Sequence, residues 1–222
     1  MDKTGSFCYD IFMERYVLDA NLFFNMEAGL GLGEKTESVV KNLTSIAKKL
    51  KTNKKSEFFM PPRVVDEFLS FFPNKEQLFL KDLLSAVSVK SPDIGKITFS
   101  AQVFYELVGD IRQRSYQGLR VGEEEIEKAG KTMLGKGSLS PKDFQIQVGS
   151  VVKKFRERYR QATRFGFLDS LADLDLIVLA KELDAFLVST DEGVLRWGRV
   201  FGVKESPVGM WKARLEGLLE EV

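Results

Sequence analysis

Apolar and polar positions divide the chain into two stretches where strand and helix patterns alternate, separated by one where only helical patterns occur. Residues 15–19 (Arg-Tyr-Val-Leu-Asp) read as a short buried strand ending at Asp19, and Asn21-Leu-Phe-Phe24 begins a helical pattern after it. A glycine-rich loop (Gly29, Gly31, Gly33) leads into an amphipathic helix from about Lys35 to Leu50, with Val39, Leu43, Ile46 and Leu50 on one stripe. Glu57 to Met60 is a second strand. Pro61-Pro62 stops it, and Pro62 suits the first turn of a helix carrying Val64, Val65, Phe68 and Leu69. A helix from about Lys75 to Ala86 and a short strand at Val87 to Lys90 close the first stretch.

No strand pattern occurs from about Thr98 to Phe167. Thr98 to Tyr116 and Glu123 to Leu134 read as two helices, and Ser140-Pro-Lys-Asp143 is a capping box that opens a third, running to Arg164. The alternation then returns. Ser170-Leu-Ala-Asp173 is a second capping box, opening a helix to about Leu183. Ala185 to Thr190 is a strand ending at Asp191, followed by a helix from Glu192, an extended piece near Val203 and a helix from Met210 to Leu219. The expectation is an α/β domain over residues 14–97 and 168–222, with a parallel sheet flanked by helices, interrupted by a helical-hairpin insertion over 98–167.

Composition narrows the chemistry. The 222 residues include no histidine and one cysteine. Histidine-based triads, histidine proton shuttles and the usual zinc sites are therefore excluded, and Cys8 alone can form no intrachain disulfide. No apolar run approaches the roughly 20 residues that span a bilayer, and Met1 to Asp10 lacks a basic-then-apolar leader pattern, so the expected location is the cytoplasm. Any enzyme built from this chain must use carboxylates, cations or hydroxyls, with metal ions of the hard, oxygen-ligated kind.

Acids stand where a parallel sheet binds its ligands, beyond the carboxyl ends of the strands. Asp19 and Asp191 each end a strand, while Asp169, Asp173 and Asp175 surround the start of a helix just upstream of Asp191. Singly, each has a plain reading as a helix cap. Gathered at one edge, they repel one another unless cations neutralise them, which points to Mg²⁺ or Mn²⁺ and to attack of an activated water on a phosphodiester. Glu67, in the helix after Pro62, is the best further ligand, although a solvated helix position explains it equally well. Asp173 and Asp175, two residues apart, point about 200° from each other on a regular helix. Asp173 is therefore the better placed of the two.

The near balance of 33 Lys plus Arg against 32 Asp plus Glu hides an uneven distribution. Lys153, Lys154, Arg156, Arg160 and Arg164 crowd the last insertion helix beside the apolar stripe of Val148, Val152, Phe155 and Tyr159, and Arg112, Arg114 and Arg120 add a second acid-poor stretch. They read either as a solvated hairpin or as a surface that tracks RNA phosphates. The acidic run Glu123 to Glu127 is left either to meet basic residues of a neighbouring subunit or to face water. Gly29-Leu-Gly-Leu-Gly33-Glu-Lys-Thr lacks the lysine directly after its last glycine and a strand before it, so it is not read as a nucleotide loop. Lys48, Lys49, Lys51, Lys54 and Lys55 read as a solvated helix end or a minor RNA contact.

Two segments carry a family resemblance. Tyr16-Val-Leu-Asp19-Ala-Asn-Leu-Phe and the run from Asp173-Leu-Asp175 to Val-Ser-Thr-Asp191, an 18-residue step across one helix and one strand, resemble the PIN-domain nucleases. Leu168-Asp169-Ser-Leu-Ala-Asp173 and the long helical insert more narrowly resemble the minimal protein-only ribonuclease P family of bacteria and archaea, also called RNA ligase partner proteins. The resemblance implies a PIN-like fold and a metal-dependent endoribonuclease that removes the 5′ leader of precursor tRNA, leaving a 5′-phosphate. It assigns Asp19, Asp169, Asp173, Asp175 and Asp191 to the active site and implies a large homo-oligomer assembled through the insert. Within it, Asp19, Asp173 and Asp191 are expected as metal ligands, with Glu67 a loosely matching fourth. The alternatives are a PIN ribonuclease with another RNA substrate and a non-catalytic RNA-binding partner of an RNA ligase.

Overall fold

A computed structural model describes residues 13–28, 30–135, 137–164, 166–168 and 170–220. The chain forms two compact units, one from the described residues up to Thr98 together with those from Ser170 onward, the other from the described residues between.

The first unit is a five-stranded parallel sheet. Its strands are β1 (Glu14–Leu18), β2 (Ser56–Met60), β3 (Ser88–Val89), β4 (Phe186–Val188) and β5 (Lys204–Glu205), in the order β3-β2-β1-β4-β5. The run Tyr16-Val17-Leu18 has no exposed surface, as a central strand covered on both faces requires. The helices are α1 (Thr36–Thr52), α2 (Pro62–Ser70), α3 (Leu78–Ala86), α6 (Leu171–Glu182), α7 (Glu192–Val200) and α8 (Val208–Glu220). In α6 the residues Leu176 to Ala180 are buried all round, so that helix lies inside the unit. At the amino ends of the strands Arg214 of α8 pairs with Glu14, which also accepts from the Tyr16 hydroxyl, and stacks on Phe186.

The helical pattern expected from Asn21 is two short 3-10 turns, Ala20–Phe23 and Met26–Ala28. In the loop that follows, Gly33 is held at φ +156°, and a Cβ there would meet the Ser38 Cβ at 2.7 Å. That glycine allows the loop to close on the first turn of α1.

The second unit contains α4 (Gln102–Met133) and α5 (Pro141–Arg164). The sequence pattern gives two helices, 98–116 and 123–134; the structure has one, α4, with Gly118 and Gly122 inside it. A helical glycine costs only about 1 kcal/mol, and Gly118 repays this by admitting Tyr159, whose ring edge would lie 2.8 Å from a Cβ at that position. The pairings Arg114 with Thr163, Gly118 with Tyr159 and Gly122 with Phe155 run in opposite senses, so the two helices form an antiparallel hairpin. Gly118→Leu is expected to lower hairpin stability by about 1–3 kcal/mol, the usual cost of overpacking. A thermal melt checks this; an unchanged melting temperature would show that the hairpin does not depend on this approach.

Candidate active site

Strand order places the site. After β1 the chain turns to β2 and β3 on one side, and it later returns to β4 and β5 on the other. The carboxyl ends of β1 and β4 therefore flank a topological switch point, where open parallel sheets bind ligands. Leu18 is in register with Val188, and the Asp19 N–H donates to the Val188 carbonyl at 3.1 Å, so the acids following the two strands stand on neighbouring backbones. An open cleft of about 360 Å³, lined by Asn21, Phe24, Asn25, Thr190 and Asp191, lies at this edge.

Asp19 is 3% exposed. Its Oδ1 accepts from the Asn21 N–H at 3.2 Å, capping the turn that follows, and its Oδ2 accepts from the Ser189 hydroxyl. Burial pushes its carboxyl above the usual aspartate range; the bonds from Ser189 and Asn21 oppose this, and the nearby charges of Glu67 and Asp191 add to it. Asp191 is exposed and caps α7, with Oδ1 accepting from the N–H groups of Gly193 at 2.6 Å and Val194 at 3.1 Å. The Ser189 hydroxyl also accepts from the Asp191 N–H at 3.0 Å. One buried side chain thus ties the two strand-end acids together.

Three further acids expected at the site are described. Glu67 is exposed on α2, near enough that its charge acts on Asp19. Asp173 lies in the first turn of α6, half-buried, its N–H 3.4 Å from the capping Ser170 hydroxyl. Asp175 faces elsewhere, as two residues of helix demand: it is 9% exposed and its Oδ2 accepts from Arg63 Nη1 at 2.6 Å. Asp169 lies outside the described residues. Among the described residues no three acids converge closely enough to hold one ion. What converges is the pair Asp19 and Asp191, with Glu67 in electrostatic reach.

Two residues at this edge, Ser189 and Arg63, are not among the candidate site residues of the sequence. Ser189 was legible only as part of the strand end, and the signal for it was its place two residues before Asp191. Arg63 carried no signal, because its partner is 112 residues away in the chain.

The cations of the hairpin divide into two groups. Arg112, Arg120, Lys153, Lys154, Arg156, Arg160 and Arg164 are exposed. Arg156, Arg160 and Arg164 recur every fourth residue, on a face apart from Phe155 and Tyr159, which approach α4. Arg114 differs from the expectation of a phosphate contact. Its side chain is only 14% exposed, donates to the Thr163 carbonyl at 3.1 Å, sits 3.6 Å from Asp110 and stacks over Phe167. It is spent on joining α4 to α5. The acidic run is likewise used within the hairpin: Arg158 donates to Glu125 at 2.6 Å and Glu124 at 2.5 Å, and holds both carboxyls below the usual glutamate range.

Comparison with known proteins places the chain beside ribonucleases. Residues 15–220 match the family model of PINc domain ribonucleases. A Thermococcus kodakarensis protein named RNA-free ribonuclease P is 34% identical over 209 residues, covering 94% of this chain and 97% of the relative. A Pyrococcus abyssi protein of the same name is 35% identical, with 95% of each chain covered. A Thermodesulfovibrio yellowstonii protein of that name is 33% identical over 86% of this chain and 87% of its own. No described helix is long and apolar enough to cross a membrane.

Proposed function

Because the chain belongs to the RNA-free ribonuclease P family of PINc domain ribonucleases, we propose that it is a divalent-metal-dependent endoribonuclease that removes the 5′ leader of precursor tRNA and leaves a 5′-phosphate on the mature end. The observation that carries the site assignment is the pairing of Asp19 and Asp191 across the switch point, with a buried carboxylate whose neighbouring charges are also negative. Like charges so placed favour a cation between them.

The donor set fits a hard ion. It is all oxygen and includes no histidine or thiolate, which suits Mg²⁺ or Mn²⁺. Asp19, Asp173 and Asp191 would hold it, with Glu67 as a further ligand and Asp169 as a further active-site acid. Such an ion, when bound, supplies acidity for an attacking water and neutralises charge on the leaving oxygen. The chain's own part is preorganisation. Ser189 and the Asn21 N–H fix the Asp19 carboxylate, the α7 amides fix Asp191, and the open cleft admits a phosphodiester from the side of Asn21, Asn25 and Thr190.

RNA would be held by the exposed cations of α5, with Arg112 and Arg120 of α4, through backbone and shape, as duplex RNA requires. Self-assembly through the hairpin belongs to the same reading. Its support is an apolar stripe on α4, Phe104, Val108, Ile111, Leu119 and Ile126, each more than half exposed.

The test is cleavage of 5′-labelled precursor tRNA in chelator and after metal is added back. The expected outcome is no cut in chelator and recovery with Mg²⁺ or Mn²⁺. Equal cutting in both would end the metal-dependent reading.

A further inference from the structure

We propose that Arg63 is the contact this site makes to a substrate phosphate, and that Asp175 is the residue that positions it; the inference rests on the nuclease reading above. Three observations converge on Arg63. It stands in the first turn of α2, immediately beyond the carboxyl end of β2 and so at the edge of the sheet where Asp19 and Asp191 stand. Glu67, one turn further along the same face of α2, is close enough for its charge to act on Asp19, so this face borders the acid pair. The Arg63 side chain is 55% exposed while the side chain of its partner Asp175 is 12% exposed. A buried carboxylate therefore grips one nitrogen of a guanidinium that otherwise meets solvent.

That arrangement answers a need of the proposed chemistry. A phosphodiester approaching several carboxylates is repelled, and a fixed cation at the rim offsets this. A guanidinium has five N–H donors in a planar fork that matches phosphate oxygens, and the bond to Asp175 takes one of them. Asp175, two residues after Asp173, projects toward α2, where Arg63 begins the helix. Its carboxylate is thereby committed to holding an arginine, which gives it a use other than metal ligation.

The competing explanation is an ion pair that merely ties α2 to α6. Four variants separate the two: Arg63→Ala, Arg63→Lys, Asp175→Asn and the Arg63→Ala, Asp175→Asn double. Precursor tRNA affinity is measured in chelator across a salt series, and KM and kcat are measured with metal present. Arg63→Ala is expected to reduce the slope of log affinity against log salt by about 1, the signature of one lost phosphate contact. It should also raise KM about tenfold or more, as loss of a charge-assisted hydrogen bond does. Arg63→Lys should recover the slope and only part of the KM. Asp175→Asn should raise KM on its own and add nothing in the Arg63→Ala background, because it acts through Arg63.

An unchanged slope and KM in Arg63→Ala would overturn the proposal, as would a full additional loss from Asp175→Asn in the Arg63→Ala background, which would make Asp175 act independently. Arg63→Ala strands a buried charge and is the variant most prone to misfold. The double variant removes that charge and Arg63→Lys keeps the pair, so melting curves and the comparison of those two carry the test if the single variant fails. Wild-type protein that binds precursor tRNA without cutting it, yet loses slope on Arg63→Ala, would sink the nuclease reading and leave Arg63 standing. Normal cutting by Arg63→Ala with unchanged KM would do the reverse.

Discussion

Asp19→Asn and Asp191→Asn, each alone, are expected to slow RNA cleavage on the order of a thousandfold, equivalent to about 4 kcal/mol of transition-state stabilisation, while leaving the metal-free protein as stable as its parent or more so. The activity loss follows from removing a negative oxygen donor at the switch point. The stability outcome follows from the packing. Asp19 is buried, its partners Ser189 and Asn21 can bond an amide as well as a carboxylate, and the charges acting on it from Glu67 and Asp191 are repulsive. Asparagine caps a helix about as well as aspartate, so Asp191→Asn keeps the start of α7. The sign with pH is also determined. Because folding raises the Asp19 carboxyl above its ordinary value of about 3.9, the metal-free parent gains stability as pH falls through that raised value, and Asp19→Asn loses this gain. Melting curves in chelator over a pH series check both statements. A large drop in melting temperature for either variant would instead assign these acids to capping alone.

Replacing Arg156, Arg160 and Arg164 together by alanine is expected to weaken precursor tRNA binding about a hundredfold at physiological salt and to reduce the salt slope by about 2 to 3, close to 0.9 per phosphate contact. These side chains are exposed and stand apart from the Phe155 and Tyr159 face, so the hairpin should melt as before. The rate at saturating RNA should also be kept. Arg114→Ala is the informative contrast, since its side chain bonds Thr163 and stacks on Phe167. It should loosen the hairpin and change the salt slope little. Filter binding across a salt series, with circular dichroism melts, separates these outcomes; a triple variant with unchanged slope would remove α5 from the RNA surface.

Much of this architecture was legible along the chain because its signals are local. Strand ends marked by Asp19 and Asp191, the Pro62 helix start and the Ser170 cap all lie within a few residues of the structure they specify, and β1, β2, α2 and α6 follow them closely. Where the reading departed from the structure, the cause was non-local. The gap between the helices read at 98–116 and 123–134 closes into one helix, where Gly118 makes room for Tyr159 of α5. Arg114 reads as a free cation until Thr163 and Phe167 are placed beside it. The bond between Ser189 and Asp19 spans 170 residues and that between Arg63 and Asp175 spans 112, so neither has a pattern in sequence. Strand order brought Asp19 and Asp191 together, while Asp175 was separated from them by simple helix geometry.

The position and chemistry of the cut test the proposed activity most directly. A precursor tRNA with a defined 5′ leader is digested with the protein and Mg²⁺, and the ends of both products are mapped. One cut is expected at the mature 5′ end, with a 5′-phosphate on the tRNA and a 3′-hydroxyl on the leader, and no such cut by the Asp19→Asn, Asp191→Asn double variant. Scattered nicking no faster at that end than elsewhere, or the same cut from the double variant, would contradict the proposed activity.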